Sequence, residues 1–358
     1  MRIVVVGATG NVGTSLVRAL GGTPEVSSVL GLARRRPDWS PPKTNWATAD
    51  IARDDRDGLV ELFGGADAVV HLAWLFQPSR DPVTTWDTNV VGSARVFDAV
   101  AEAGVPTLLY ASSVGAYSPG PKDRMVDETW PTHGWPTAGY TREKAYVERV
   151  LDGFEARYPD RRVVRMRPGF TFKRESASQQ RRLYAGPLLP ARLVRPGLVP
   201  FVPDLPGLRF QAMHSADAAE AYRLAVVRDV RGAFNIAAEP VIDTQRLAEL
   251  LHTRTVRVSS QTVRQAVAAA WRLHLAPVAP YLFDAVLRLP LMDVTRARTE
   301  LGWTPRYSAV EALDDFLHGL RGTAGMPTAP LHPHAGGRLR QREFGSGVGA
   351  RSSGGHQR

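Results

Sequence analysis

A tyrosine and a lysine stand four residues apart in the segment Tyr140-Thr-Arg-Glu-Lys144, which has a helical pattern. Residues i and i+4 share one face of a helix, so the phenol and the ammonium are predicted to be neighbours. A free tyrosine titrates near pKa ~10, and a nearby ammonium favours the phenolate and lowers that pKa. The pair is therefore predicted to exchange a proton with a substrate oxygen while hydride moves at the adjacent carbon.

Two further observations support this acid–base pair. Only four of the 45 Lys and Arg residues are lysines, so a tyrosine–lysine match at this spacing carries more weight than usual. Upstream, Ser112 and Ser113 follow an apolar strand pattern at 107–111. A hydroxyl at the carboxyl end of such a strand faces the crevice where doubly wound sheets bind ligands, and it can hydrogen-bond the reacting oxygen.

A glycine-rich turn lies between the first strand pattern and the first helix pattern, with the sequence Gly7-Ala-Thr-Gly10-Asn11-Val12-Gly13. Glycines at this junction permit a tight turn and let the backbone approach a pyrophosphate, which then rests on the helix N-terminus. The spacing is GxxGxxG, and its place between strand and helix is the context that a dinucleotide site needs. We therefore predict an NAD(P) cofactor.

The residues after the second strand pattern bear on the choice between NAD and NADP. The position where dinucleotide sites carry an acid for the ribose 2′-hydroxyl is Ala33 here, and Arg34 and Arg35 follow it. Guanidinium groups suit a 2′-phosphate through charge-assisted hydrogen bonds, which favours NADP over NAD. The alternative is that this basic run is a solvated loop.

Apolar strand patterns alternate with helical patterns through the first half of the chain, which predicts a parallel, doubly wound α/β sheet. We expect strands at 2–6, 28–33, 68–72, 107–111, 163–166 and 233–237. We expect helices at 11–20, 56–63, 84–103, 137–158, 216–227, 244–252 and 309–320. Residues 1–168 are predicted to form the nucleotide-binding domain, with parts of 210–240 returning to it, and residues 169–320 a smaller α/β substrate lobe.

Two segments of the second half have alternative interpretations. Residues 262–289 carry apolar positions at helical spacing and are predicted to be two helices packed on the second lobe, or else a membrane-surface or lid helix. Residues 321–358 contribute +5 of the net charge of +10 and are rich in Gly, Ser and Arg. We expect this basic tail to be disordered, because it offers little apolar surface to bury.

Composition excludes several classes of function. The chain has no cysteine, which rules out disulfides and a thiol nucleophile, and we expect no metal site. The basic charge comes without a nucleic-acid-binding motif, so we expect no nucleic-acid partner. No apolar run is long enough to span a bilayer and no secretory signal is evident, so we expect a cytoplasmic protein for which a membrane role is secondary.

Together these motifs resemble the extended short-chain dehydrogenase/reductase family, in its NAD-dependent epimerase/dehydratase group. The resemblance runs from Arg2 to about residue 320 and implies a Rossmann domain. Further segments that resemble family motifs are Asp50-Ile51, His71-Leu72-Ala73, Asn89, Arg167-Pro168-Gly169, 211–217 and 301–305.

The resemblance implies a role for each matching residue. The catalytic set would be Ser113, Tyr140 and Lys144. The cofactor set would be the glycine turn (Gly7, Gly10, Asn11, Val12 and Gly13) with Arg34, Arg35, Asp50, Ile51, Leu72, Ala73, Asn89, Tyr140, Lys144 and Pro168. The helices that carry Asn89 and Tyr140 would form a homodimer face.

Two departures from the family pattern limit the substrate. Val114-Gly115 follows Ser113 where family dehydratases carry an Asp-Glu pair, so we expect dehydration to be unlikely. The run Gly169-Phe-Thr-Phe-Lys173 lacks the asparagine that nucleotide-sugar-binding members often carry after the Arg-Pro turn. Three loop arginines are either holders of a diphosphate or solvated side chains: Arg174, Arg181 and Arg182.

We accordingly predict an NAD(P)-dependent oxidoreductase or epimerase that transfers hydride at a secondary alcohol or ketone carbon, with Tyr140 as acid–base. One alternative is a nucleotide-sugar 4-epimerase with tightly held NAD. An alternative of another class is a non-catalytic NAD(P)-binding sensor, although such proteins usually lose the tyrosine or the lysine. The sequence does not name the substrate, since specificity lies in loops without motifs.

Overall fold

The computed structural model describes residues 1–77, 79–189, 194–322, 324–337, 340 and 343. Its strands are β1 Arg2–Val6, β2 Ser28–Ala33, β3 Thr44–Thr48, β4 Ala68–His71, β5 Thr107–Ala111, β6 Met125–Val126, β7 Arg162–Pro168, β8 Phe170–Phe172, β9 Val202–Asp204, β10 Ala212–His214, β11 Gly232–Ile236, β12 Thr255–Arg257 and β13 Leu291–Met292. Its helices are α1 Asn11–Gly21, α2 Arg56–Phe63, α3 Pro82–Trp86, α4 Gly92–Glu102, α5 Gly139–Arg157, α6 Ala177–Gln180, α7 Ser215–Val227, α8 Thr244–Leu250, α9 Ser260–Arg272, α10 Pro280–Val286, α11 Thr295–Thr299 and α12 Ala309–Gly322.

Seven strands form one parallel sheet in the order β3-β2-β1-β4-β5-β7-β11. The chain winds outward from β1 in one direction and from β4 in the other, so the strand order reverses between these two strands. This confirms the predicted doubly wound α/β fold. In such a sheet the crevice at the carboxyl ends of the strands, beside the reversal point, is where ligands bind.

The sheet separates two apolar cores, because successive side chains of a strand point to opposite faces. In β1, Ile3 and Val5 pack with α1 and α7 on one face, while Val4 and Val6 pack with residues of α2, α4 and α5 on the other. All four side chains are buried. Burial on both faces explains why the inner strands are continuous apolar runs.

The predicted helix at 84–103 is interrupted in the structure. α3 begins at Pro82, and residues Asp87–Val91 form a wider π-type turn before α4. This turn carries the buried side chain of Asn89. A π turn within a helix frequently marks a functional position.

Residues 262–289 contain most of α9 and the whole of α10, and the choice between helices packed on the second lobe and a membrane-surface or lid helix stays a prediction. The two helices are joined by the Arg264 guanidinium, whose Nε lies 2.9 Å from both carboxylate oxygens of Asp284. The loop between them accepts hydrogen bonds at the Pro277 carbonyl from the side chains of Gln77 and Ser79. Among the described residues, no helix combines the length and apolar character needed to cross a bilayer.

The prediction of a disordered tail from residue 321 is wrong for residues 324–337. Met326 and Leu331 are buried, and the Thr328 hydroxyl donates a hydrogen bond to the Thr9 carbonyl at 3.0 Å. The Met326 sulfur also lies 4.0 Å from the Arg18 guanidinium of α1, and composition averaged over the whole tail hides these few residues. Residues 321 and 322 end α12, and the rest of the predicted tail, apart from residues 340 and 343, lies outside the described residues.

Candidate active site

The glycine turn leaves no room for side chains at two of its positions. Gly7 has φ +85°, and a Cβ there would lie 2.6 Å from the backbone nitrogen of Ala73. A Cβ on Gly13 would lie 2.4 Å from the Gly7 carbonyl oxygen. The turn therefore packs against the segment after β4 on one side and against α1 on the other, which brings Gly7, Gly13 and Ala73 together as predicted.

The N-terminus of α1 is left without a neutralising group. Its N-cap is Gly10, which offers no side-chain acceptor, and no acidic residue occupies its first turn. The Asn11 side chain makes its hydrogen bonds to other segments: its Nδ2 donates to the Thr171 carbonyl, and its Oδ1 accepts from the Ser215 hydroxyl. Free N–H groups and the positive helix end suit a pyrophosphate, so these residues fit a dinucleotide.

The ends of β2 and β3 form the opposite end of the predicted nucleotide site. Arg34 and Arg35 are exposed directly after β2. Asp50 caps its own turn by accepting from the backbone nitrogen of Ala52, and Ile51 is buried against Gly92. This edge therefore presents two guanidinium groups, while Ile51 contributes to its packed wall.

Tyr140 lies in the first turn of α5, beside the end of β5. Its phenol is hydrogen-bonded to Ser113, a residue that also accepts from the Gly115 nitrogen at 2.9 Å. A Cβ on Gly115 would lie 2.7 Å from Cε1 of Tyr140, so the tyrosine ring rests directly on this glycine. Burial raises the pKa of Tyr140 to about 12, against the smaller lowering effect of the Ser113 hydrogen bond.

Lys144 is buried one turn further along α5. Its Nζ donates to the Ala111 carbonyl at 2.6 Å, lies 3.4 Å from the Tyr110 hydroxyl, and sits 3.4 Å from the ring centroid of Trp74. Burial lowers the pKa of Lys144 well below its usual range, although Glu148 and Glu143 act in the opposite direction.

The lowering of the Tyr140 pKa by Lys144 together with a positive nicotinamide ring stays a prediction, and the contacts of Lys144 itself do not supply it. The Lys144 ammonium is directed at the Ala111 carbonyl and the Trp74 ring, and desolvation dominates at the phenol. The tyrosine and the lysine do share one face of α5, as their spacing predicts.

Asn89 is fully buried, and both ends of its amide are engaged. Its Oδ1 accepts from the Leu75 nitrogen at 2.7 Å, while its Nδ2 donates to the Leu75 carbonyl and to the Glu143 carboxylate. Thr85 donates to the second Glu143 oxygen at 2.7 Å. Asn89 thus joins the segment after β4 to α5 through Glu143, the residue that precedes Lys144.

Leu72 and Pro168 complete the predicted set. Leu72 follows β4 and continues its pairing, since its nitrogen donates to the Val6 carbonyl at 2.8 Å. Pro168 ends β7, where the next nitrogen, that of Gly169, donates to the Ile236 carbonyl. Both residues lie at the carboxyl edge of the sheet, with Pro168 at the end of β7, next to β11.

Sequence reasoning missed an aromatic cluster on the far side of Tyr140. The Phe76 ring is stacked on Tyr140 with centroids 4.8 Å apart and an interplanar angle of 14°. Trp74 meets Tyr140 edge-on at 5.9 Å, and Tyr184 meets Phe76 edge-on at 5.8 Å. Two aromatic residues at alternate positions directly after His71-Leu72-Ala73 were the available signal.

The three loop arginines lie in different surroundings. Arg181 is buried and forms a two-pronged pair with the Glu343 carboxylate, at 2.9 and 2.6 Å. Arg182 donates to the backbone carbonyls of Pro330 and His332. Arg174 is exposed, and its backbone nitrogen donates to Asp315.

The sheet, the glycine turn and the serine–tyrosine–lysine trio at one edge define a dinucleotide-binding α/β protein of the short-chain dehydrogenase/reductase type. Residues 3–237 match the model of the NAD dependent epimerase/dehydratase family. The chain belongs to this family, whose members include epimerases and dehydratases.

Two relatives show how far the likeness extends along the chain. The chain is 29% identical over 328 residues to the uncharacterized protein Rv2047c of Mycobacterium tuberculosis, covering 91% of this chain and 31% of that protein. It is 26% identical to an uncharacterized epimerase/dehydratase of Staphylococcus aureus, covering 86% of this chain and 92% of the other. The chain thus spans about a third of the length of the first relatives it matches.

Solved structures with the same fold include two enzymes crystallised with NAD. One is a UDP-glucose 4-epimerase of Stenotrophomonas maltophila, with TM-score 0.67, 20% identity and coverage of 90% of this chain and 98% of that one. The other is a dTDP-glucose 4,6-dehydratase of Streptomyces venezuelae, with TM-score 0.66, 19% identity and coverage of 90% and 97%. Because a dehydratase is among these structures, the expectation that dehydration is unlikely is not supported.

Proposed function

We propose that the protein is an NAD(P)-dependent oxidoreductase or epimerase that transfers hydride at a secondary alcohol or ketone carbon. The observation that carries this proposal is the placement of Ser113, Tyr140 and Lys144 at the carboxyl edge of the sheet, beside the glycine turn. Retention of both the tyrosine and the lysine argues against a purely nucleotide-sensing protein.

The residues have distinct roles in this proposal. A nicotinamide nucleotide, held by the glycine turn and the N-terminus of α1, supplies or accepts the hydride. Tyr140 donates its proton to the substrate oxygen in reduction, and its raised pKa keeps it protonated for this step. Ser113 hydrogen-bonds the same oxygen, and the buried Lys144 ammonium stabilises the phenolate that remains.

Replacing Tyr140 by phenylalanine tests the mechanism. We expect Tyr140→Phe to reduce kcat by roughly 10²–10⁴-fold, since it removes the proton donor, while nucleotide affinity is unchanged. Steady-state rates and calorimetric titration with NADPH and NADH measure the two quantities. Tyr146→Phe is the matched control, because Tyr146 is exposed on the same helix. Turnover retained by Tyr140→Phe would rule out this mechanism.

For the cofactor, we propose a preference for NADP over NAD, based on the two exposed guanidinium groups after β2. We expect the double change Arg34→Ala and Arg35→Ala to weaken NADPH binding by about tenfold or more and to leave NADH binding nearly unchanged, because only NADPH carries a 2′-phosphate. Arg257→Ala, at an exposed arginine of β12, is the control. Wild-type protein that binds NADH as tightly as NADPH would contradict the proposal.

A nucleotide-sugar 4-epimerase is the second candidate, and the fold shared with UDP-glucose 4-epimerases supports it. An epimerase returns the hydride to the same substrate and therefore keeps its nucleotide. Nucleotide released only when purified protein is denatured would favour epimerisation, whereas a site that exchanges NADPH freely would favour net reduction. The domain division at residue 168, the homodimer and the cytoplasmic location remain predictions.

A further inference from the structure

The wall that faces Tyr140 is apolar and aromatic. Phe76 covers one face of the Tyr140 ring, Gly115 lies against the ring from the short turn after β5, and Trp74 lies at its edge. Tyr184, from the segment after α6, extends the cluster across to the second lobe. The side chains of this wall are uncharged, and the charged group in contact with it is the Lys144 ammonium, 3.4 Å from the Trp74 ring centroid.

The polar side chains that follow Phe76 in the sequence are already hydrogen-bonded to other protein groups. Gln77 Nε2 donates to the Leu183 carbonyl at 2.9 Å, and its Oε1 accepts from the Ser79 nitrogen. The Ser79 hydroxyl donates to the Pro277 carbonyl at 3.0 Å. A polyhydroxylated ring buried against this wall would leave hydroxyls without hydrogen-bond partners, which weakens binding.

One buried donor of the wall remains without a partner. Nε1 of Trp74 is inaccessible to solvent and makes no hydrogen bond within the described part of the chain. Buried polar atoms are normally paired, so an indole N–H of this kind beside a catalytic residue is a donor left for a bound molecule. The Trp74 indole can donate one hydrogen bond to a bound molecule.

Two of the three loop arginines, Arg181 and Arg182, offer little to a diphosphate. The Arg181 guanidinium is paired with Glu343 and the Gly186 carbonyl. Arg182 donates to two carbonyls, as described above. Both side chains would have to give up these hydrogen bonds to bind phosphate oxygens, and the aromatic wall supplies no cation in their place.

We propose that the substrate is a ketone or secondary alcohol whose reacting carbon is attached to a flat apolar group, aromatic or alicyclic, with one hydrogen-bond acceptor. Trp74 and Phe76 are then specificity-determining residues, and a nucleotide sugar is a poor ligand. This inference rests on the proposed function, since it assigns the substrate class of the same hydride-transfer site.

Binding to the protein saturated with NADP⁺ tests the proposal without requiring turnover. The probes are four flat apolar ketones (acetophenone, cyclohexanone, 1-indanone and 1-tetralone) and UDP-glucose, titrated by calorimetry. We expect at least one ketone to bind tenfold or more tightly than UDP-glucose. We expect Trp74→Leu to weaken the binding of that ketone by about tenfold, because the ring contact and the hydrogen bond are both lost.

Companion variants keep the result interpretable. Trp74→Phe retains a ring and loses the N–H, and Phe76→Leu removes the stacked ring, so each should give a partial loss. Tyr281→Leu, at an exposed position of α10, should have no effect. Thermal unfolding of each variant verifies that it is folded.

The outcomes separate this inference from the proposed function. UDP-glucose binding as tightly as every ketone, no binding by any ketone, or unchanged ketone binding by folded Trp74 and Phe76 variants would overturn the inference. Tyr140-dependent turnover of UDP-glucose would overturn it while supporting hydride transfer. Ketone binding that depends on Trp74, without turnover of any ketone by wild-type protein, would support the inferred role of the aromatic wall in binding. It would contradict the proposed activity.

Discussion

Lys144 and Glu148 lie one turn apart on α5 and are both buried, yet their surroundings differ. The Glu148 carboxylate bonds Arg165, Arg167 and the Ser112 hydroxyl. Burial alone would raise its pKa, but these partners lower it to about 2. Lys144 has a carbonyl, a phenol and an indole face as partners, and its pKa falls.

This difference distinguishes a structural charge from a charge available for chemistry. The partners of Glu148 compensate the charge of its carboxylate, and their hydrogen bonds join α5 to the end of β5 and to β7. The Lys144 ammonium is only partly compensated, so the developing negative charge of a Tyr140 phenolate would be a favourable partner. A buried, perturbed cation near a ligand crevice is what a catalytic role requires.

The largest expected effect comes from removing the partly compensated charge. We expect Lys144→Met to lower kcat by roughly 10²–10⁴-fold, because the phenolate loses its cation, and to change the free energy of unfolding by less than about 1 kcal/mol. Steady-state kinetics and urea unfolding measure the two quantities. A strongly destabilised variant would show that Lys144 is a structural charge like Glu148 and would abolish the contrast.

The next effect concerns stability at low pH. Because the folded-state pKa of Glu148 lies below the ordinary value of 4.5, its contribution is present above pH 4.5 and lost as pH falls towards 2. We expect a loss on the order of 3 kcal/mol across this window, measured by urea unfolding at several pH values.

Two variants locate this acid sensitivity. Glu148→Gln should lose most of this free energy already at neutral pH and show a flatter acid dependence. Glu155→Gln should resemble wild type, because Glu155 is a half-exposed partner of Arg165 and exposed ion pairs contribute about 1 kcal/mol or less. Equal behaviour of the two variants would assign the acid loss to other groups.

The smallest expected effect concerns Glu143, which precedes Lys144 on α5 and influences its pKa. The Glu143 carboxylate favours the charged form of Lys144. We expect Glu143→Gln to lower the pKa of Lys144 further and to move the alkaline limb of kcat/KM to lower pH, with less than about a tenfold rate change at neutral pH. Glu61→Gln, an exposed change on α2, serves as the reference profile. An unchanged profile would mean that Glu143 acts only through its hydrogen bonds to Asn89 and Thr85.

Much of the sheet was predictable because inner parallel strands are buried on both faces and read as apolar runs. β1, β2 and β5 have the predicted bounds. β3 was missed, since Thr44–Thr48 is an edge strand with no fully buried side chain and mixed polarity. Periodicity also merged α3 and α4, because a π turn adds a residue without changing the apolar pattern enough to detect.

At the site, the glycine turn and the Tyr140–Lys144 pair were predictable because each depends on local spacing. The aromatic wall was not, since the stacking of Phe76 on Tyr140 joins residues 64 positions apart and depends on how β4 ends beside α5. The rise of the Tyr140 pKa on burial was not predictable for a related reason. Spacing places a charge near a phenol, but only the packed structure shows that desolvation is the larger influence.

The hydrogen bond between the Thr328 hydroxyl and the Thr9 carbonyl joins residues 319 positions apart. During synthesis from the N-terminus, β1, β2 and β4 can pair early, because their contacts close within the first 71 residues. The glycine turn between them nevertheless acquires its last neighbour only after residue 328 has left the ribosome. At least 328 residues must therefore be made before the glycine turn gains this hydrogen bond, however early the sheet around it forms.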